Sequence, residues 1–279
     1  MRVELRHGAA TDVGRVREVN EDAFLAAPPV FAVADGMGGH DGGDVASAIV
    51  VEELARLAEE GYDPRRGAEA VAATLETCRR RIEEYGAGQR ADGQPGFSAG
   101  TTAVVAMLVE DDDEPRWLLA NLGDSRAYRF DGGRLEQVST DHSVVQELVD
   151  TGLITAAAAA EHPERHVITR SLGGNQRSEP DLFVLPLAAA PRLVLCSDGI
   201  SGMLDHEQMR GVLAADADPG RAADALLAAA LDAGGRDNAT VVVVDALTDP
   251  DPDTAADTAA VGAETPTDVD LEQRLGVLP

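Results

Sequence analysis

Short apolar runs and alternating apolar and polar positions recur along the chain, and both patterns are typical of β-strands. They predict strands at residues 2–12, 23–27, 30–34, 101–110, 116–130, 133–139, 181–187, 192–199 and 239–247. The strand at 30–34 is expected to stop at Asp35, because glycines crowd the positions that follow. The strands between 101 and 139 form a predicted β-meander, with "EDDDE" at its first turn and Asp131-Gly132-Gly133 at its second.

Helical spacing of apolar residues predicts the remaining elements. The predicted helices cover residues 44–60, about 65–85, 141–155, 156–166, 206–215 and 219–233. Asp44 is the predicted N-cap of the first helix, and residues 86–97 are a predicted glycine-rich loop. Because helices do not separate the strands regularly, antiparallel sheets with segregated helices are favoured over a doubly wound parallel sheet. The expected fold class is α+β.

The chain divides by composition into a domain and a tail. Its 279 residues are 44% hydrophobic, enough for one large core, and residues 1–247 are the predicted domain. From Thr248 onward, eight acidic residues face one arginine, with prolines and no periodicity. This composition predicts an acidic disordered tail over residues 248–279.

Charge and cysteine usage exclude several functions. The formal net charge is −27, which disfavours nucleic acid and anionic membranes as partners. All 23 basic residues are arginine, so lysine chemistry and a phosphate loop ending in Gly-Lys are excluded. Two cysteines, no signal peptide and no apolar run of roughly 18 residues predict a cytoplasmic protein without a membrane anchor.

Carboxylates at strand ends are the main candidate chemistry. Asp-Gly occurs five times, and the copies at positions 41, 92 and 131 lie where turns are expected. Asp35 and Asp198 instead end apolar runs that lead into no partner strand. Asp124 interrupts a predicted strand and Asp237 directly precedes the last one. Each alone is more simply a turn or cap residue, but four at the same kind of position favour a common site.

Clustered carboxylates repel one another unless a cation lies between them, so the pattern predicts a metal site. The six histidines show no ligand pairing and the two cysteines are far apart, so zinc is disfavoured. Oxygen ligands suit Mg²⁺ and Mn²⁺. Two such ions could activate water for in-line attack on phosphorus, with Arg17 as a candidate phosphate ligand and the glycines after Asp35 leaving room for phosphate.

Eight stretches of the chain resemble, in order, the motifs of a known family. They are "VREVNEDAF", "FAVADGMGGH", "AGTTAVVAML", "NLGDSRAYRF", "STDHSVVQELVDTGLIT", "VITRSLGG", "LVLCSDGISGML" and "GRDNATVVVV". They are similar to the bacterial form of the metal-dependent serine/threonine protein phosphatases of the PPM type, also called type 2C. The resemblance covers residues 3 to about 247. It implies an αββα sandwich of two antiparallel β-sheets flanked by α-helices, with the metals at one end.

The resemblance implies a metal-ligand set. Asp35 would bridge two ions, Mn²⁺ or Mg²⁺, in each active site. Asp198 and Asp237 would complete one ion, and the carbonyl of Gly36 would hold the other. Asp124 corresponds to the residue that, with Asp198, binds a third and weaker metal in bacterial members. No member of this ligand set is missing, so an active enzyme is expected.

Other residues gain roles from the same resemblance. Glu21 and Asp22 would bind waters of the metals, and Arg17 matches the phosphate-binding arginine. Residues 141–171 match the mobile flap that influences substrate choice. His40 is a candidate general acid or substrate contact, with an exposed loop histidine as the equal alternative. His166 stands where the family commonly has asparagine, which leaves the flap contacts open.

The implied reaction is hydrolysis of phosphoserine and phosphothreonine in proteins by a metal-activated water at a binuclear centre, reversing bacterial Ser/Thr kinase signalling. Cys196 is not expected to be a nucleophile, because "CSDGISG" lacks a phosphate-cradling arginine. Expected partners are phosphorylated proteins, including Ser/Thr kinases, and a monomer is predicted. The alternatives are a phosphatase dedicated to one regulatory protein, a non-catalytic binding module, and a generic acidic protein that binds divalent ions.

Overall fold

The computed structural model describes residues 3–37, 42–173 and 178–248, and Glu4–Leu247 form one compact unit. The strands are β1 (Val3–Asp12), β2 (Asp22–Ala27), β3 (Val30–Met37), β4 (Gly100–Thr101), β5 (Ala103–Asp111), β6 (Glu114–Leu122), β7 (Arg126–Asp131), β8 (Arg134–Gln137), β9 (Leu172–Gly173), β10 (Asp181–Pro186), β11 (Arg192–Cys196) and β12 (Ala239–Thr248). The α-helices are α1 (Gly43–Glu60), α2 (Gly67–Ala91), α3 (Val144–Asp150), α4 (Ala156–Ala159), α5 (Asp198–Ser201), α6 (His206–Ala215) and α7 (Pro219–Asp232). Short 3₁₀ helices lie at Pro64–Arg66 and Leu187–Ala189.

The strands form two antiparallel sheets, and the predicted α+β class and αββα sandwich are confirmed. The first sheet has the order β1-β12-β11-β7-β8. The second has the order β10-β6-β5-β3-β4-β9, and β2 pairs with β3. Helices α1 and α2 pack on the second sheet, while α5, α6 and α7 pack on the first.

Side chains of the central strands point alternately to the two faces of their sheet, and both faces are buried. On β3, Val30, Ala32 and Ala34 belong to the core beneath α1 and α2. Phe31 lies on the opposite face, where its ring contacts Trp117 of the same sheet edge-on at 6.2 Å and His7 of the first sheet at 5.5 Å. The near-continuous apolar runs of the sequence therefore mark strands covered by a helix layer on one face and a second sheet on the other.

The strand that carries Asp35 continues beyond it, so the predicted stop at this residue is wrong. Gly36 and Met37 pair with β4, which extends β3 by a short ladder. The predicted N-cap at Asp44 is also wrong, because Gly42 is the cap and Asp44 lies in the first turn of α1. A carboxylate in that turn still interacts favourably with the helix dipole.

The predicted single strand at 116–130 and the meander that contained it are wrong. The chain breaks at residues 123–125, and β6 and β7 lie in different sheets. Gly123 has φ +110°, a backbone conformation that side-chain-bearing residues rarely adopt. The chain turns from one sheet to the other at this glycine.

Two helix limits also differ from expectation. Helix α2 runs to Ala91 through the predicted glycine-rich loop, because each interior glycine costs only about 1 kcal/mol and the intervening residues are good helix formers. Of the predicted helix at 156–166, only Ala156–Ala159 is helical, since Pro163 disfavours helical backbone at the residue before it. No helix in the described ranges is long and apolar enough to cross a membrane. His40 and residues 249–279 of the predicted tail lie outside the described residues, and the domain boundary stays a prediction.

Candidate metal centre

Two aspartates face each other on neighbouring strands of the second sheet. Asp22 on β2 and Asp35 on β3 are directly opposed in the antiparallel pair, which puts their Cβ atoms about 4.5–5.5 Å apart. Thr102 fixes the β3 backbone at this point: its hydroxyl accepts a hydrogen bond from the Asp35 N–H, and its N–H donates to the Asp35 carbonyl, both at 2.9 Å. The sheet therefore presents two carboxylates from a well-held backbone.

Two further aspartates come to the same place from the first sheet, and a third comes from the crossover between the sheets. Asp198 is the first residue of α5, directly after β11. Asp124 lies in the crossover between β6 and β7, and Asp237 lies just before β12. The charges of all three, together with that of Asp22, act on the Asp35 carboxylate. The fold thus brings together acids that are separated by up to 215 positions in the sequence, from Asp22 to Asp237.

Burial and mutual repulsion raise the pKa of four of these carboxyls. Burial raises the pKa of Asp22 to about 6 and that of Asp124 to about 7, and the Asp198 charge adds to both. Burial and the neighbouring charges hold the pKa of Asp35 well above its usual range. Burial and Asp237 raise the pKa of Asp198, while His166 opposes the shift. The cluster is therefore electrostatically unfavourable when no cation balances it.

The donor atoms fit a hard divalent cation. Asp22 Oδ2 accepts a hydrogen bond from Ser197 Oγ at 2.7 Å, whereas its buried Oδ1 has no hydrogen-bond partner among the described residues. Within those residues, no three His, Cys, Asp or Glu side chains are close enough to enclose an ion alone. Backbone carbonyls and water would have to complete the ligand sphere, as is usual for Mg²⁺ and Ca²⁺. The all-oxygen set therefore fits Mg²⁺ or Mn²⁺ and not zinc.

Close backbone packing explains two of the glycines near Asp35. A Cβ atom on Gly36 would lie 2.3 Å from the carbonyl oxygen of Gly43 and 2.5 Å from that of Glu21. A Cβ atom on Gly43 would lie 2.7 Å from Glu21 Oε1. At these two positions the absence of a side chain lets β3, the start of α1 and Glu21 approach each other. The sequence instead predicted that the glycines after Asp35 leave room for phosphate. Two of those glycines, at positions 38 and 39, lie outside the described residues, so for these two it stays a prediction.

The raised pKa values predict how pH affects the metal-free protein. A carboxyl whose pKa is higher in the folded state stabilises the fold at low pH, and this contribution is lost as pH rises through the folded value. The loss begins near the ordinary aspartate pKa of about 4 and is complete near the folded values of about 6 for Asp22 and about 7 for Asp124, so it falls between about pH 4 and 7. In chelator, we expect the Tm to fall by about 5 °C across this interval, measured by calorimetry.

The same titration has an internal control. Asp124→Asn removes one of the raised carboxyls and should make the decline of Tm with pH shallower. Excess Mn²⁺ should abolish the decline in the wild type, because bound cations favour the ionised carboxylates. A Tm in chelator that rises from about pH 4 to 7, or a variant with the same decline, would contradict the predicted repulsion.

The loop between β1 and β2 carries Arg17 and Glu21 to the edge of the cluster. Arg17 Nη2 donates to Asp237 Oδ2 at 2.7 Å, and about half of the Arg17 side chain is exposed. Asn238 fastens this loop: its Oδ1 accepts from the Glu21 N–H, and its Nδ2 donates to the carbonyls of Val13 and Val19, each at 2.9 Å. The sequence motif "DN" predicts a role for Asp237 but not for Asn238. The signal available for Asn238 is a polar residue directly before a buried strand.

A buried histidine holds the turn that carries Asp124, and sequence reasoning missed it as well. His142 Nδ1 accepts from the Gly123 N–H at 3.1 Å, and its Nε2 lies 3.1 Å from Asp181 Oδ2. Its backbone carbonyl also accepts from the Thr169 N–H at 2.8 Å, which closes the base of the predicted flap. No local pattern reveals this role, because its partners lie on three separate segments.

The predicted flap borders a cavity beside the carboxylates. The cavity has a volume of about 720 Å³ and is lined by α3, α4, the start of α5, Asp124 and Asp237. His166 of the flap places Nδ1 3.5 Å from Asp198 Oδ2. His166, which stands where the family commonly has asparagine, therefore lies close to the candidate metal ligand Asp198. The mobility of the flap stays a prediction.

Cysteine chemistry is excluded by burial. Cys196 is fully buried on β11, and burial raises the pKa of its thiol to about 12. A thiolate nucleophile at this position is therefore unavailable at neutral pH. The other cysteine, Cys78, is buried in the core under α1 and α2.

Comparison with known proteins identifies the family. A family model described as protein phosphatase 2C matches residues 14–232. The serine/threonine phosphatase stp of Listeria welshimeri is 35% identical over 244 residues, which cover 84% of this chain and 93% of that protein. The crystal structure of the Mycobacterium tuberculosis serine/threonine phosphatase PstP/Ppp is 37% identical with a TM-score of 0.73, covering 86% of this chain and 98% of that one.

A related structure contains the metals that the carboxylates lead us to expect. The catalytic domain of the serine/threonine protein phosphatase PstP, in complex with two manganese ions, is 35% identical with a TM-score of 0.73. The match covers 88% of this chain and 100% of that one. The chain therefore belongs to the protein phosphatase 2C family, the metal-dependent serine/threonine protein phosphatases that its sequence motifs predicted.

Proposed function

We propose that the carboxylate cluster holds two divalent cations and hydrolyses phosphoserine and phosphothreonine in proteins. In this proposal Asp35 bridges the two ions, Asp198 and Asp237 bind one, and the Gly36 carbonyl binds the other. The observation that carries the proposal is the convergence of four other aspartate charges on the Asp35 carboxylate. The cationic side chains in contact with the candidate ligands are Arg17 on Asp237 and His166 on Asp198, which leaves most of the negative charge unbalanced within the described residues.

The expected cofactors, Mn²⁺ or Mg²⁺, are confirmed at the level of the family. When bound, the ions would lower the pKa of a coordinated water and withdraw charge from the phosphate. A third, weaker ion between Asp124 and Asp198 is part of the proposal. Asp124 is 8% exposed, so this ion would sit deep in the wall of the cavity.

The residues around the ions would orient the reactants. Glu21 and Asp22 would accept hydrogen bonds from coordinated waters, and the unpartnered Asp22 Oδ1 is placed for that role. Arg17 uses one of its guanidinium nitrogens on Asp237, and the planar fork retains further donors for phosphate oxygens. His40, outside the described residues, remains the candidate general acid for the leaving group.

The test is hydrolysis of a phosphothreonine peptide by the full chain, with Mn²⁺, with Mg²⁺ and with excess chelator. We expect turnover with metal and its loss in chelator, restored by added Mn²⁺. An absence of turnover with every divalent ion would favour a phosphatase restricted to one regulatory protein or a non-catalytic binding module. Turnover that survives chelation would contradict a metal-dependent mechanism.

Replacing Arg17 tests its contact with phosphate. Arg17→Gln should raise KM for the phosphothreonine peptide by about tenfold, because a bidentate guanidinium contact to the phosphate is lost. The control is Arg15→Gln, which removes an exposed arginine of the same loop. Steady-state kinetics that show equal KM values for the two variants would remove Arg17 from the phosphate site.

Phosphoproteins are the substrate class of the family, and Ser/Thr kinases are the partners that we propose for this chain. The acidic surface disfavours nucleic acid as a partner, since the net charge is −27. A monomeric state and a cytoplasmic location, which the sequence predicted, are retained as part of the proposal. Both cysteines are buried free thiols, in keeping with a reducing compartment.

A further inference from the structure

Most arginines in the described part of the chain have a carboxylate partner. This is expected of a protein with a net charge of −27, because acidic side chains are abundant around every cation. Within the described residues, four arginines have no carboxylate in ion-pair distance; these are Arg80, Arg90, Arg165 and Arg236. Their positions can therefore indicate where an external anion is expected.

Two of these four arginines line the same cavity. Arg165 belongs to the predicted flap, and Arg236 to the loop before β12; both line the cavity next to the candidate metal ligands Asp124, Asp198 and Asp237. The one hydrogen bond of the Arg165 guanidinium in the described structure is to the carbonyl of His162, at 3.4 Å. Two separate chain segments thus contribute unpaired guanidinium groups to one cavity.

The other cationic side chains of this cavity are already engaged. Arg126 donates to Asp141 from Nε and Nη2, with a shortest distance of 2.6 Å, and to Tyr128 at 3.2 Å. His166 lies against Asp198. Glu161 also lines the cavity but is not within ion-pair distance of either free arginine. Arg165 and Arg236 are therefore the groups available to bind an incoming anion.

We propose that Arg165 and Arg236 form a subsite for a second anionic side chain of the substrate, either phosphorylated or a carboxylate, close to the phosphoresidue that is hydrolysed. This inference rests on the proposed function. The guanidinium fork matches the geometry of phosphate and carboxylate oxygens. The cavity of about 720 Å³ has room for side chains beyond the reacting phosphate.

The subsite would also reduce the electrostatic repulsion between this acidic protein and an acidic substrate. A phosphopeptide with additional acidic groups is repelled by a protein whose net charge is −27. Two unpaired arginines at the cavity wall offset that repulsion locally, so such a substrate is favoured at this one place on the surface. The subsite would therefore select substrates by the residues that surround the phosphorylated one.

The test compares three peptides of matched sequence. Each contains one phosphothreonine, and the residue two positions away is alanine, glutamate, or a phosphonate side chain that cannot be hydrolysed. Initial rates of phosphate release with Mn²⁺ give kcat/KM for the wild type, for Arg165→Gln, for Arg236→Gln and for the double variant. The alanine peptide reports the proposed phosphatase activity itself, so a failure of that activity is separable from a failure of the subsite.

We expect the wild type to prefer the anionic peptides by about tenfold, mainly through KM, and this ratio to fall toward one in the double variant. The matched control is Arg80→Gln, which removes an equally unpaired, exposed arginine of α2 and should leave the ratio unchanged. A response to glutamate and phosphonate alike would define a general anion subsite, and a response to phosphonate alone a phosphate subsite.

Other outcomes would overturn the proposal. A wild type that hydrolyses the alanine peptide without preferring the anionic ones would show that no subsite exists. A preference that persists in the double variant would place it elsewhere. An equal loss on all three peptides would mean that the two arginines bind the reacting phosphate and not a second group.

Discussion

Replacing Asp198 with asparagine is expected to lower kcat/KM for a phosphothreonine peptide by at least about 10³-fold. In the proposed site this carboxylate binds one of the two bridged ions and contributes to the third. The amide keeps the size of the side chain but removes its charge, so the ion loses a ligand that water cannot replace with equal affinity. The fold should survive, because repulsion within the cluster decreases when Asp198 becomes neutral.

The matched control for this variant is Asp131→Asn. Asp131 is followed by glycine, as Asp198 is, but lies at the exposed hairpin turn between β7 and β8. Its replacement should leave turnover and Mn²⁺ dependence unchanged. Circular dichroism and the Tm in chelator establish that both variants are folded. Normal turnover by Asp198→Asn, with unaltered metal dependence, would remove this residue from the site.

Replacing Arg192 with leucine is expected to lower the free energy of unfolding by about 3–5 kcal/mol and the Tm by about 10 °C. Arg192 is 7% exposed on β11 and binds the Asp245 carboxylate with two nitrogens, at 2.6 and 2.8 Å. It also donates to the carbonyls of Asp216 and Ala217, at 2.8 and 2.6 Å. Leucine would leave the partly buried Asp245 carboxylate and these carbonyls without their partner.

The control for Arg192 is an exposed ion pair in the same region. Arg210 pairs with Glu207 on α6, and Arg210→Leu removes this solvent-exposed contact. Surface pairs of this kind contribute little to stability, so its Tm should stay close to that of the wild type. Chemical denaturation followed by fluorescence of Trp117 measures both variants. Equal free energies of unfolding for Arg192→Leu and the wild type would mean that the buried network contributes nothing.

The acids that follow buried apolar runs could be singled out from local sequence alone. Asp35 and Asp198 follow runs of apolar residues that have to be buried, which indicates acids at the edge of the core, although β3 itself continues through Asp35 to Met37. The choice between oxygen and nitrogen ligands also followed from residue types. These parts of the prediction needed no knowledge of which strands pair with each other.

The pairing of distant segments could not be predicted from local patterns. The apolar alternation at 116–130 continues without interruption, yet Gly123 moves the chain from one sheet to the other. Alternation shows which face a residue occupies but not which sheet its strand joins. The roles of Asn238 and His142 were missed for the same reason, because each depends on backbone groups far away in the sequence.

The origin of the carboxylates in both sheets has a mechanical consequence. Asp35 belongs to the second sheet, whereas Asp198 and Asp237 adjoin the first, so an ion held as proposed would join the two layers of the sandwich. Such an ion would be a reversible cross-link that closes a loop of well over half the domain, and long closed loops restrict the unfolded chain most strongly. Metal supply would therefore govern how long the protein resists proteolysis in the cell, in addition to how fast it turns over its substrate.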